Sequence, residues 1–438
     1  MSATVDTALQ ILNKQLTQPL AAALEVCARC GLCAEACHYY QANPGPANVP
    51  ATRGEALRQV YRAEHDPLAK LFPGFVKAGK LTDEKLAALA EMAFTQCTLC
   101  RRCTFNCPLG VDTPLLMGVI RAMATATGHA PEVLVMLADA AIEKGRDPGG
   151  YLEYFLDSIR DMEEQLRDLT GNPRATIPVQ KKGAKMLYVA LAGAHTILPA
   201  AAIFDAAGED WTLSIYEASN YAVFLNDTKR AKEIAKRIVD EATELGVQEI
   251  VISECGHAYA AMRWSAPNWF GPNFNFRIRS IVEVIADYIQ QDRLTLHPEE
   301  NPEPITYHDP CNLARKGGVI EEPRIILRAV TQNFLELTPN REEALCCGGG
   351  SGLVAVPDYE AIRMQAGRPK VEQIRRSGAT LVAAACENCR LQLGDLRDYY
   401  GDGYGVVSIA DLVVKAMRLP GAQARAAEIT PTVEAALA

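Results

Sequence analysis

From residue 185 onward, short apolar runs alternate with longer amphipathic stretches. KMLYVALAG predicts a strand, 197–208 a helix, WTLSIYEAS a strand, DTKRAKEIAKRIVDEATELG a helix and QEIVISECG a strand. The pattern then starts again. PITYHDPCN predicts a strand, EPRIILRAVTQ a helix, NFLELTP a strand, DYEAIRMQAGRPKVEQIRRSG a helix and ATLVAAACENC a strand. Apolar runs separated by helices predict α/β architecture, with parallel sheets covered on both faces. The restart predicts an internal duplication within 185–418. Ligands of such sheets sit at the carboxyl ends of strands, which is where the cysteines of the second copy fall.

The N-terminal part follows a different period. Leu9, Leu12, Leu16, Leu20 and Leu24 recur at helical spacing, which predicts one packing helix over 1–26. Residues 116–182 read as helical, with breakers at DPGG and GNP, and VQKKGAK marks a boundary before the α/β region. The most apolar stretch, 186–204, contains His195, Thr196 and Pro199 and reads as strand, turn and helix rather than a membrane span. A start of MSATVDTALQ predicts no secretory leader. A net charge of −9 argues against nucleic acid as a partner.

The 14 cysteines change the picture most. Their clustering points to metal rather than disulfides in a reducing compartment. CARCGLCAEAC supplies Cys27, Cys30, Cys33 and Cys37; CTLCRRCTFNCP supplies Cys97, Cys100, Cys103 and Cys107. Both are C-x2-C-x2-C-x3-C, the ferredoxin run in which the fourth cysteine serves the other cubane [4Fe–4S] cluster. The expected sets are therefore Cys27, Cys30, Cys33 and Cys107, and Cys97, Cys100, Cys103 and Cys37. Structural zinc prefers paired C-x2-C spacing and is the weaker reading. The 59 residues between Cys37 and Cys97 read as a helical insertion. Arg101 and Arg102 either raise a cluster potential or are simply solvated.

Five further cysteines follow C-x34-C-C-x38-C-x-x-C: Cys311, the adjacent Cys346 and Cys347, then Cys386 and Cys389. Five thiolates are too many for one tetrahedral metal or one cubane. Adjacent thiolates can hold different irons of one cluster if the chain turns sharply, and Gly348, Gly349 and Gly350 permit that turn. No GK[ST] follows the glycines, so a phosphate loop is rejected, and no dinucleotide fingerprint predicts flavin or NAD on this chain.

This pattern resembles the CCG domain of the heterodisulfide reductase family. With ferredoxin motifs ahead of it, the chain is similar to the D-type subunit of the membrane enzyme, and closer to K-type subunits of sulfite-reductase-associated membrane complexes. The resemblance implies a noncubane [4Fe–4S] cluster on Cys311, Cys346, Cys347, Cys386 and Cys389, besides the two cubanes. With the boundaries read along the chain, this predicts a helical ferredoxin-type unit (1–115), a helical connector (116–182), a degenerate half (183–300), an intact half (301–420) and a tail (421–438). In the degenerate half Gly193 stands in the place of Cys311, EASN (217–220) replaces the cysteine pair, Cys255 matches Cys386 and Ala258 replaces Cys389. No second noncubane cluster is expected. The halves are expected to face each other across a pseudo-twofold axis, bringing Cys255 and His257 near the cluster.

Cys255 is then a site thiol or a buried cysteine, and His257 a proton donor to a leaving thiolate or a hydrogen-bonded strand-end residue. His308 reads as a supporting or packing residue, and Arg315 as an anion attractor or an ion-pair partner. The implied function is electron transfer between a membrane cytochrome b-type, quinone-interacting subunit and a disulfide or thiol substrate, either a small thiol or a small sulfur-carrier protein. Such a chain would sit at the cytoplasmic face of the inner membrane through its partner. The alternative is an electron-transfer subunit of a glycolate- or lactate-type 2-hydroxy acid oxidase complex.

Overall fold

A computed structural model describes residues 2–146, 148–191 and 193–421. The tail expected at 421–438 lies outside them apart from Gly421. The leucine-spaced N-terminus is two helices, Ala3–Gln15 and Gln18–Glu25, rather than one. Thr17 caps the second and Pro19 occupies its first turn, so the leucine spacing continues across a break. Leu9, Leu12, Leu20 and Leu24 are buried with Leu57, Leu86, Leu116 and Ile120, joining the helices Pro50–His65, Asp83–Thr95 and Thr113–Ala126 in one core. The last of these helices runs through the boundary placed at 115. Helices Glu132–Arg146 and Pro148–Thr170 lead to the α/β region.

There the chain forms two four-stranded parallel sheets. The first comprises β1 (Met186–Val189), β2 (Trp211–Leu213), β3 (Glu249–Ile252) and β4 (Arg277–Ser280), in the order β2-β1-β3-β4. The second comprises β5 (Ile305–Tyr307), β6 (Phe334–Leu335), β7 (Leu381–Ala383) and β8 (Gly405–Val407), in the order β6-β5-β7-β8. Leu187 pairs with both Thr212 and Ile250, and Thr306 with both Leu335 and Val382, so each sheet reverses direction beside its first strand. Such a switch point opens a crevice at the carboxyl ends of the two central strands.

The strands are shorter than their apolar runs. WTLSIYEAS pairs only at Trp211–Leu213 and NFLELTP only at Phe334–Leu335, because the chain then leaves the sheet to build site loops. The edge strands β4 and β8 carry too little apolar signal to be foreseen. The segment after β3 is a broken helix, Gly256–Ala260 and Ala266–Phe270 joined by a wide π-type turn at Ala261–Ser265. The two sheets share one hydrophobic core, with Val282 and Ile285 from one half packed among Ile326, Leu327 and Val413 from the other.

Candidate iron–sulfur centres and their surroundings

Local backbone explains the first two cysteine loops. Arg29, Leu99 and Arg101 adopt positive φ, as does Gly31, so each C-x2-C-x2-C run coils tightly instead of continuing as helix. Cys27, Cys30, Cys33 and Cys107 line one cavity, which Cys103 borders. Cys37, Cys97, Cys100 and Cys103 line a second. The fold thus brings together the two crossed sets expected from the spacing. The first cavity is near the surface: Cys30 is exposed, and Leu32 and Leu109 on its rim are 50% and 47% exposed. In the second, Cys37, Cys97 and Cys103 are buried and Cys100 is half-buried. There burial and the charges of Cys100, Cys97 and Cys37 push the Cys103 thiol well above its ordinary range. Arg53 is the cation at hand, donating to Cys37 Sγ at 3.1 Å. Burial opposes its charge, but Cys37 and Cys97 more than compensate and hold it above its usual value. Such a crowd of thiols suits a cationic metal centre, whose binding requires thiolates.

The five remaining cysteines meet at the switch point of the second sheet. Cys311 follows β5, Cys386 follows β7 as the residue before helix Glu387–Tyr400, and the 346–347 pair follows β6. All five line one cavity with His257, His308 and Asn312. Cys347 and Cys389 sulfurs are 3.6 Å apart. The glycines after the pair have distinct physical grounds. Gly348 has φ +95°, and a Cβ there would lie 2.7 Å from Gly367 N. Gly349 is pressed against Gln392 and Val354, where a Cβ would come within 2.6 Å of both.

Cys255 occupies the matching place in the first half, as the residue before helix Gly256–Ala260. Burial, then the charge of Cys386, raises its thiol above the ordinary range. It does not line the cavity; its sulfur meets His257 Nδ1 at 3.4 Å. Backbone N–H of Asn220 donates to His257 Nε2 at 3.3 Å, so the neutral ring carries its proton on Nδ1, toward Cys255. Burial, assisted by Lys316, lowers His257 to about 4. At neutral pH it is an uncharged hydrogen-bond donor, not a charged acid held in reserve.

Arg315 donates to the carbonyls of Cys100, Glu342 and Ala344, and its charge favours the Cys100 thiolate; among the described residues it forms no ion pair with a carboxylate. Arg101 pairs with Asp112 at 3.0 Å, and Arg102 donates to the carbonyls of Ala36 and Glu343. His308 is buried and converges with Cys347 and Cys389 within 4.8 Å.

Sequence reasoning missed three features. His38, Cys100 and Cys346 converge within 4.8 Å, so a cysteine of the second ferredoxin set touches the five-cysteine set. Thr98 Oγ1 lies 3.4 Å from Cys346 Sγ in the same contact. Buried Arg121 ties three parts of the chain, donating to Ala93 and Cys97 of the ferredoxin unit, Phe224 of the first half and Ser351 of the second.

These centres define an iron–sulfur protein of ferredoxin-plus-cysteine-rich type. Residues 23–111 match the model of the 4Fe-4S dicluster domain, and 305–394 match the cysteine-rich domain, CCG. The chain is 29% identical over 428 residues to the Hdr-like menaquinol oxidoreductase iron–sulfur subunit 2 of Archaeoglobus fulgidus, covering 86% of this chain and 76% of that one. It is 27% identical over 419 residues to the D-type subunit of the dihydromethanophenazine:CoB–CoM heterodisulfide reductase of Methanosarcina barkeri, covering 93% and 97%. The resemblance read from the cysteines therefore holds: over most of its length the chain is similar to D-type iron–sulfur subunits of heterodisulfide reductase. Among the described residues no helix is long and apolar enough to cross a membrane.

Proposed function

We propose that this chain carries electrons between a membrane quinone-linked partner and a disulfide or thiol substrate. The observation that carries the reading is a series of three cysteine-lined cavities, the first two sharing Cys103 and the last two meeting at the Cys100–Cys346 contact. Cys27, Cys30, Cys33 and Cys107 hold a cubane that exchanges electrons at the surface, with Leu32 and Leu109 forming the contact for a cytochrome b-type partner. Cys37, Cys97, Cys100 and Cys103 hold the second cubane. Cys311, Cys346, Cys347, Cys386 and Cys389 hold a noncubane [4Fe–4S] cluster. The bound clusters supply one-electron transfer.

The remaining chemistry belongs to the chain. In the reductive direction R–S–S–R′ takes two electrons and two protons to give R–SH and R′–SH. The S–S bond breaks, and the electrons come from quinol through the partner. The buried cavity limits water around the half-reacted sulfur. His257 orients the Cys255 thiol beside the cavity. The identical strand orders of the two sheets support a duplicated, pseudo-twofold pair of halves, of which the first has lost its ligands. The quinol-linked and heterodisulfide relatives favour this reading over the 2-hydroxy acid alternative. The chain then docks on the cytoplasmic side of its membrane partner. The test is reduction of disulfides by the anaerobically prepared protein with a reduced viologen dye. Turnover that disappears in Cys346→Ala supports the reading; absence of turnover in the wild type with its partner subunit overturns it.

A further inference from the structure

Beside the five-cysteine cavity lies a roomy chamber of about 400 Å³. The two share His257, Asn312 and Ser351 in their walls, so these residues separate adjoining cavities. The chamber draws on all three parts of the chain: Thr98, Leu99 and Arg101 from the ferredoxin unit, Phe224, Asn226 and the π-type turn from the first half, Asn312 and Lys316 from the second. It reaches solvent at Trp264, which is 54% exposed, and at the half-exposed Arg101. Two tight packings hold the inner wall. A Cβ on Gly256 would lie 3.2 Å from Leu313 N, and one on Gly317 would lie 2.2 Å from Leu313 O.

The charged side chains lining this chamber are both cationic, Arg101 and Lys316; no carboxylate among the described residues lines it. Arg101 is neutralised by Asp112 at 3.0 Å. Lys316 is not. Among the described residues no hydrogen bond or ion pair closes on its Nζ; burial and the charge of Arg101 oppose its charge, while the fields of Cys311, Asp112 and Cys100 favour it. A partly desolvated cation without a partner is costly unless a ligand supplies the counter-charge. The volume falls within the range of small-molecule sites.

We infer that this chamber is the substrate-binding site and that Lys316 binds the anionic group of a small thiol or disulfide, placing its sulfur at the shared wall of His257, Asn312 and Ser351. This deepens the proposed function and rests on it. The test uses the anaerobic holoprotein of full length. Calorimetry measures 3-mercaptopropionate, which is anionic, against 2-mercaptoethanol, which is neutral, and dye-linked reduction is followed with the corresponding two disulfides. Lys316→Gln is expected to weaken the carboxylate thiol and raise KM for its disulfide about tenfold, with the neutral pair and the iron content unchanged and with Lys316→Arg restoring most of the loss. Equal effects on both pairs, or none, overturn the Lys316 assignment while leaving the proposed function standing. Turnover of a protein-borne disulfide alone, with neither small disulfide reduced, overturns the small-ligand site. A wild type that binds the anionic thiol in a Lys316-dependent way yet reduces no disulfide supports the site and overturns the reaction.

Discussion

Replacing Arg121 with leucine should loosen three distant segments together. The side chain is fully buried, and its guanidinium makes six contacts with five acceptors: Ala93 O, Cys97 O, Phe224 O, Ser351 O and Ser351 Oγ, at 2.7–3.1 Å. It also stacks on Phe94, 4.5 Å from the ring centre. Burial lowers Arg121 to about 10, so it stays charged at neutral pH. Leucine removes every donor at once. At about 1 kcal/mol net per lost bond, partly offset by relief of a desolvated charge, the expected loss is about 3 kcal/mol. In native-state hydrogen exchange that corresponds to roughly a hundredfold faster opening. The effect should reach amides around 93–98, 224–226 and 350–352 alike, and Arg121→Lys should fall between. A change below about tenfold, or one confined to a single segment, would refute the idea that Arg121 joins the ferredoxin unit to both halves.

Gly348→Ala combines a positive φ with a clash against Gly367, so it should cost at least about 2 kcal/mol and remove about four irons, read by metal analysis, while ferredoxin-type signals persist. Glu241 is raised to about 7 by burial, against which Ser214 and Ile215 donate hydrogen bonds. Its folded value exceeds the unfolded one, so its contribution is full below pH ~4.5 and is lost as pH rises through about 7. Glu241→Gln should therefore resist urea better than the wild type at pH 8, by about 1–3 kcal/mol, and show no advantage at pH 4.5; a constant difference across pH would contradict this. Leu109→Ser, at the rim of the exposed cavity, should change stability by less than about 0.5 kcal/mol yet slow electron exchange with the membrane partner several-fold, measured as quinol-driven cluster reduction.

Much of this architecture was legible in the sequence because its signals are local. C-x2-C-x2-C fixes three ligands on one loop whatever surrounds it, and the crossed fourth ligands, Cys107 and Cys37, follow from the need for a sulfur from elsewhere. The apolar runs marked the central strands, whose burial on both faces forces continuous hydrophobicity. Edge strands β4 and β8 escaped because RIRS and GVV carry no comparable pattern. The N-terminal leucines kept helical phase across Thr17–Pro19, so periodicity alone joined two helices. Contacts between units left no local trace: nothing near Cys100 points to Cys346, and nothing near Lys316 says that Asp112 is committed to Arg101. Arg315 and Arg121 show the same limit, since carbonyl acceptors have no sequence signature.

The most direct measurement is iron content with low-temperature EPR on anaerobically purified wild type and Cys346→Ala. Three clusters predict about twelve irons per chain in the wild type and about eight in the variant, with both ferredoxin-type signals retained and the thiol-dependent signal gone. A wild type with about eight irons, or a Cys346→Ala protein that keeps its full complement and its disulfide turnover, would contradict a redox terminus built on five cysteines.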